Sequence, residues 1–347
     1  TGAMPEVAFR AAPLLLLLAH AAVLASGVQE DQTSDRGNEF VVTAYVPEYS
    51  QVDMVALGGA ASHIILFSAQ VGVDGQILSS NPWAPGSPTL TNAQTAKDVT
   101  GVKLLLCIGG AGRSEFFMAM SSKVASRKAF AQNLISLART AGLDGFDIDW
   151  EEDLMSNPAK LKGFGLVMKQ LRKTFRKEGN LTLSVTYHPG QEDVLTPEIL
   201  QAVDYVHLMS YDSCRTTPCR HATLSDASSH AAAAVRRVPP GNLVVGMPAY
   251  GRKMASPGEV ETYRTLMARG EEGWSEGGDE RDGFYLNGPA TIRDKVLLAK
   301  RLGLAGVFLW EAGHDLPASH EKSLLNVMAK EAALIRAART ALGKAEL

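Results

Sequence analysis

The chain has 347 residues, 46% hydrophobic and 20% charged, with a formal net charge of -3. That is ordinary globular composition, long enough for one large domain or two small ones. Near-neutral charge without a basic run argues against a nucleic-acid surface.

The first 27 residues read as a leader outside the fold. A lone Arg10 precedes the apolar run from Pro13 to Leu24, and the small residues Ala25, Ser26 and Gly27 follow. This is the layout of a secretory signal peptide, with a run too short to span a bilayer comfortably, and an uncleaved anchor is the competing reading. Residues 28–39 are polar and read as a flexible connector.

From Phe40 onward, short β-rich runs are mostly followed by helical or turn-rich stretches. Phe40–Val46 is the first predicted strand and His63–Phe67 the second. A turn-rich insert, Asn81-Pro82-Trp83-Ala84-Pro85-Gly86, comes after it. Val102–Ile108 is the third strand and stops at Gly109-Gly110. Arg127–Ala141 has helical period, with apolar residues at Phe130, Leu134, Ile135, Leu137 and Ala138. The fourth strand is the acidic one, Leu143–Glu151. Leu161–Phe175 is helical again, Leu181–Tyr187 is the fifth strand and Tyr205–Asp212 the sixth. Ser225–Arg237 is an Ala-rich helix and Leu243–Pro248 the seventh strand. Ile292–Leu302 is a helix, Ala305–Trp310 the eighth strand, and an Ala-rich helix over roughly 321–342 ends the chain.

In the fourth strand Phe146, Ile148 and Trp150 alternate with Asp147, Asp149 and Glu151. Successive side chains of a strand point to opposite faces, so the three acids share one face, roughly 7 Å apart at the backbone. Three readings are open: solvated acids on an edge strand, a hard-cation site, or buried acids whose repulsion and desolvation keep a proton on one of them near neutral pH. The last would suit glycoside hydrolysis, which needs a protonated carboxyl beside the leaving oxygen.

Eight β/α units in about 300 residues, with near-continuous apolar strands, predict an α/β fold: a single closed (β/α)8 barrel with a parallel eight-stranded core. A doubly wound open sheet is the runner-up. It would want a glycine-rich phosphate turn after the first strand, and Tyr45-Val46-Pro47 offers none. Working residues of such barrels lie at the carboxyl ends of the strands. Those ends are Tyr45, Phe67, Gly109-Gly110, Asp149 with Glu151, Tyr187, Tyr211-Asp212, Tyr250 and Trp310. Aromatics around carboxylates suit sugars, whose C–H faces pack on flat rings. Cys214 and Cys219 enclose a short polar loop and could pair there, as an exported protein allows. Cys107 lies in an apolar run and reads as a buried core residue. Asn180-Leu181-Thr182 is a glycosylation sequon.

At this point the chain resembles glycoside hydrolase family 18, the chitinase family. Asp144-Gly145-Phe146-Asp147-Ile148-Asp149-Trp150-Glu151 matches its D-G-x-D-x-D-x-E motif in full. Gly109-Gly110 looks like the end of its S-x-G-G strand, Met209-Ser210-Tyr211-Asp212 like its M-x-Y-D strand, and Trp310 like its eighth-strand tryptophan. The likeness runs from about Phe40 to Met328. The resemblance implies a catalytic glycosidase barrel over 40–330, with 331–347 a C-terminal helix and tail. It implies retaining, substrate-assisted hydrolysis of β-1,4 bonds next to N-acetylglucosamine, in chitin or chitooligosaccharides. Glu151 would be the general acid and Asp149 would orient and stabilise the substrate's acetamido group. Asp147 would share a proton with Asp149, and Tyr211 would bond the acetamido oxygen. Trp310 would form the floor under the sugar, with Tyr45, Phe67, Met209, Asp212, Tyr250, Arg252 and Gly110 lining the same site.

No cofactor is implied and no metal, since no His accompanies the acids at ligand spacing. The expected partner is a carbohydrate, with no nucleic acid and no membrane once the leader is removed. The expected protein is a monomer, secreted or in the endomembrane lumen. Three departures from the family pattern alter the cleft rim or its packing: Cys107 for Ser, Glu152 where many relatives carry Tyr, and Ser213-Cys214 after the Y-D pair. The span from Arg252 to Gly306 is short for the α+β subdomain that some relatives insert, so no full insertion and a shallower cleft are expected. Two rivals remain: an endo-β-N-acetylglucosaminidase acting on N-glycan cores, and an inactive chitin-binding lectin.

Overall fold

The computed structural model describes residues 40–78, 81–214, 216–270 and 278–345. The expected leader and connector lie outside these residues. In chain order the elements are β1 (Val41–Pro47), α1 (Met54–Ala60), β2 (His63–Ala69), α2 (Pro88–Thr100), β3 (Lys103–Gly109), α3 (Phe117–Ser122), α4 (Val124–Ala141), β4 (Gly145–Asp149), α5 (Pro158–Glu178), β5 (Thr182–Tyr187) and α6 (Pro197–Leu200). They continue with β6 (Tyr205–Leu208), α7 (Leu224–Ala234), β7 (Leu243–Pro248), β8 (Tyr250–Lys253), β9 (Val260–Thr262), α8 (Tyr263–Ala268), β10 (Glu280–Arg281), β11 (Phe284–Tyr285), α9 (Pro289–Arg301), β12 (Gly306–Trp310) and α10 (Leu324–Ala345).

Strands β1 to β7 and β12 pair in sequence, all parallel, and β12 closes the barrel on β1 with Val41 opposite Gly306. The two-residue alternation splits the core into two clusters. One phase, with Val42, Ile64, Leu104, Leu106, Phe146, Ile148, Leu183 and Val185, faces the helices. The other, with Val41, Tyr45, Ile65, Leu105, Cys107, Val244 and Phe308, fills the barrel interior. On β4 the apolar phase therefore points outward and the acids inward. Trp150, just past the strand, stacks on Phe117 at 4.9 Å and meets Phe164 edge-on at 5.4 Å.

The helices obey local signals. In α5, Asn157 caps the amides of Ala159 and Lys160 and Pro158 holds the first helical position. Its buried face runs Phe164, Val167, Met168, Leu171 and Phe175. In α7, Thr223 and Asp226 form a reciprocal capping box. Helix α10 runs through the expected boundary at residue 330, with Ala332 and Ile335 buried in the outer core.

The span between β7 and β12 is short, as expected, yet it is not a plain loop. Among its described residues, β8, β9, β10 and β11 form a small antiparallel sheet in the order β10-β11-β8-β9, with α8 alongside. Arg269 ties it together by pairing with Glu261 and Asp282 at 2.9 and 3.0 Å. The expected disulfide between Cys214 and Cys219 is present, and Cys107 is a buried free thiol.

Candidate active site

The interior of the barrel becomes polar toward the carboxyl ends of the strands. Asp147 is fully buried. Three hydroxyls donate to its carboxyl group: Ser184 at 2.6 Å, Thr186 at 3.0 Å and Tyr45 at 3.0 Å. Tyr45 also bonds His207 at 2.7 Å, and burial lowers the basicity of that imidazole. Burial and the charge of Asp147 push the Tyr45 phenol well up.

One turn of the pleat farther on, Asp149 is 3% exposed and lies beneath a pocket. Burial, then the neighbouring charges of Glu151 and Asp147, hold its pKa well above the usual carboxylate range. Its Oδ1 is buried without a hydrogen-bond partner. Asp147, two residues earlier on the same face, has its carboxyl oxygens engaged by the hydroxyls of β1 and β5.

Glu151 lies just beyond β4. Its backbone N–H donates to Ser114 Oγ at 3.0 Å, and Ser114 also bonds the carbonyls of Gly110 and Asp149. Gly110 N–H donates to Asp149 O at 2.7 Å. Gly110 has φ +96°, and a Cβ there would sit 2.4 Å from Phe67 Cζ, so only glycine leaves that ring in place. Phe67 in turn meets Trp310 edge-on at 4.7 Å, and Trp310 meets Tyr45 at 5.7 Å.

These groups enclose a pocket of about 160 Å³ lined by Tyr45, Phe67, Asp149, Glu151, Met209, Tyr211, Asp212 and Trp310, together with Ala111, Thr186 and His188. A second cavity of about 670 Å³ shares His188, Tyr211 and Asp212 as walls. Tyr211 is buried, which raises its phenol pKa well above normal. Asp212 accepts from Tyr250 Oη at 2.8 Å and from Arg252 Nη2 at 2.7 Å. Burial opposes the charge of Asp212, but the His221 imidazole 3.3 Å away and the hydrogen bonds from Arg252 outweigh it and hold the carboxyl well below its ordinary pKa. Tyr250 and Arg252 bond Asp212 and do not themselves line the pocket. Among the described residues, no group of three His, Cys, Asp or Glu side chains is arranged to hold a metal ion.

Sequence reasoning missed His188, whose Nε2 lies 3.1 Å from Glu151 Oε2. It follows β5 directly, so the strand-end rule reaches it one residue past Tyr187. Ser184 and Thr186 were also missed, although their phase in Leu183-Ser184-Val185-Thr186 marks an inward polar face.

A family model described as glycosyl hydrolases family 18 matches residues 33–315. Chitinase 1 of Aphanocladium album is 25% identical over 323 residues, covering 72% of this chain and 75% of that protein. Among solved structures, the Group IV chitinase of Ostrinia furnacalis in complex with allosamidin superposes with TM-score 0.73 at 19% identity, over 86% of this chain and 100% of that one. The chitinase-like agglutinin of Robinia pseudoacacia shares the fold with TM-score 0.67 at 21% identity, over 83% and 98%. With the complete acidic motif inside the barrel and a family match that spans the domain, the chain belongs to glycosyl hydrolase family 18.

Proposed function

We propose that this chain is a chitinase: a retaining glycoside hydrolase that cleaves β-1,4 bonds of chitin or chitooligosaccharides by substrate-assisted catalysis. The observation that carries this reading is the placement of Asp149 and Glu151 together in a pocket walled by Tyr211 and Trp310, with Asp149 buried and its pKa held well above the ordinary carboxylate range. By this reading the N-acetylglucosamine unit being cleaved lies on Trp310. Its own acetamido oxygen attacks the anomeric carbon while Glu151 protonates the departing glycosidic oxygen. Tyr211 steadies the acetamido oxygen, and Asp149 orients the group and offsets the positive charge of the cyclic intermediate in a site that excludes water. Water then opens the intermediate with Glu151 as base, so the anomeric configuration is retained. Asp147 supports Asp149 from below, in its cradle of hydroxyls.

Export supports the same reading, since the apolar run 13–24 has signal-peptide layout and the Cys214–Cys219 bridge suits an oxidising compartment. Among the described residues no helix is long and apolar enough to cross a membrane. The test is Glu151→Gln assayed on chitotetraose and on cellotetraose. Turnover of chitotetraose should vanish while binding persists, and neither protein should cut cellotetraose, which lacks the acetamido group. Near-normal turnover by the variant, or efficient cellotetraose cleavage by the parent, would overturn the mechanism.

A further inference from the structure

The mechanism above leaves His188 without a task, although its ring touches the acid. Glu151 is held from two directions. Ser114 Oγ accepts its backbone N–H at 3.0 Å, and His188 Nε2 lies 3.1 Å from Oε2. His188 is set by the end of β5 and by a turn in which Gln191 N–H donates back to His188 O at 3.2 Å. Its side chain is 41% exposed and forms a wall of both the 160 Å³ pocket and the adjoining 670 Å³ cavity.

We propose that His188 is a positioning residue that donates Nε2–H to Glu151 Oε2 and steadies the charge Glu151 acquires as it protonates the leaving saccharide. This rests on the reading of Glu151 as proton donor. In that step the bond from the anomeric carbon to the glycosidic oxygen breaks, and its electron pair stays on that oxygen. The oxygen takes the Glu151 proton, the acetamido oxygen closes on the anomeric carbon, and Glu151 is left a carboxylate. A carboxylate offers only acceptors, so the imidazole must be the donor. A hydrogen bond to an ionised partner is stronger than one to a neutral partner. The contact therefore tightens as the proton leaves, which lowers the barrier rather than merely binding the substrate. The location agrees: His188 lines both the small pocket and the larger cavity that shares its walls.

The role predicts a dependence on the leaving group. A sugar alkoxide needs the acid, whereas a dinitrophenolate departs with little protonation. The experiment measures kcat and KM of the parent, His188→Leu and His188→Gln on chitotetraose and on a 2,4-dinitrophenyl chitobioside. We expect His188→Leu to lose about tenfold or more in kcat on chitotetraose, the scale of a hydrogen bond to a charged group, and about twofold or less on the dinitrophenyl substrate. The Gln amide can still donate and should restore most of the loss. If the leucine variant does not fold, His188→Asn, whose amide is one methylene shorter, takes its place with the same expected pattern. Equal losses on both substrates, a change in KM alone, or no loss on either would overturn the proposal. A parent inactive on both substrates would instead overturn the proposed function on which it rests.

Discussion

Replacing Asp149 by Asn separates the activity of the site from its stability. The side chain is 3% exposed, its Oδ1 has no partner, and burial with two acidic neighbours raises its pKa well above the ordinary range. A folded-state pKa above the unfolded one means that the native protein binds a proton the unfolded chain has released above about pH 4. Stability from this group is therefore fully present below the unfolded pKa and is lost as pH rises to the folded one. Asn needs no proton and has nearly the same shape. The stability difference, variant minus parent, should be small at pH 3.5 and grow toward neutrality, with a slope of at most about 1.4 kcal/mol per pH unit. Removing Asp149 also relieves repulsion on Glu151, which acts in the same direction. Turnover of chitotetraose should fall on the order of 100-fold or more, because the amide carries no charge to offset the cationic intermediate. Urea titrations from pH 3.5 to 7.5 and steady-state rates at one pH provide both readings. A difference that stays flat or shrinks with rising pH would show that burial does not raise the Asp149 pKa, and turnover within about tenfold of the parent would remove it from the mechanism.

Gly110→Ala must place a Cβ 2.4 Å from Phe67 Cζ at φ +96°, so the backbone strains and the Phe67 ring leaves Trp310. Unfolding free energy should fall by about 1–3 kcal/mol with a raised KM for chitotetraose; unchanged values of both would remove Phe67 from the pocket wall. Lys295 is buried, with Nζ bonded to Asn287 Oδ1 at 2.6 Å and Ala222 O at 2.8 Å, and burial lowers its pKa to about 7. The unfolded lysine keeps its proton to higher pH, so this group makes stability rise from pH 7 toward 10, and Lys295→Met should flatten that rise relative to the parent in paired urea titrations; identical pH slopes would place Lys295 in water.

The barrel was legible because its strands carry one signal twice over. Runs such as Leu104-Leu105-Leu106-Cys107-Ile108 are apolar on both faces, as a strand between a packed interior and a shell of helices must be. The acid phase of β4 was legible for the same reason, since an alternating strand can bury only one set. Helix α2 was not, because its buried face is only Leu90, Ala93 and Ala96 among polar residues, although Ser87-Pro88 before it and Gly101 after it are start and stop signals. The small sheet escaped because strands of two to four residues have no period to detect. His188 escaped because a rule about strand ends names a position without saying which neighbouring chain will face it. The distance to Glu151 is a fact of closure between β4 and β5.

The same closure explains why two acids on one face of one strand differ. Asp147 sits level with Ser184, Thr186 and Tyr45, and these hydroxyls engage its carboxyl oxygens. Asp149 sits one layer higher, where Tyr187 faces outward and no hydroxyl is in reach, so its Oδ1 is left without a donor. A buried acceptor in that condition is uncommon and costly. An acetamido N–H entering the pocket would supply the missing donor. The 2-hydroxyl of a glucose unit stands at the same ring position and can donate there too, so this contact alone does not separate the two sugars. What glucose lacks is the carbonyl oxygen that attacks the anomeric carbon, and under the proposed mechanism that lack stops cellotetraose at the chemical step. The cellotetraose assay and the Asp149→Asn variant then probe the mechanism from two sides: the first withholds the internal nucleophile, and the second replaces the carboxylate beside it.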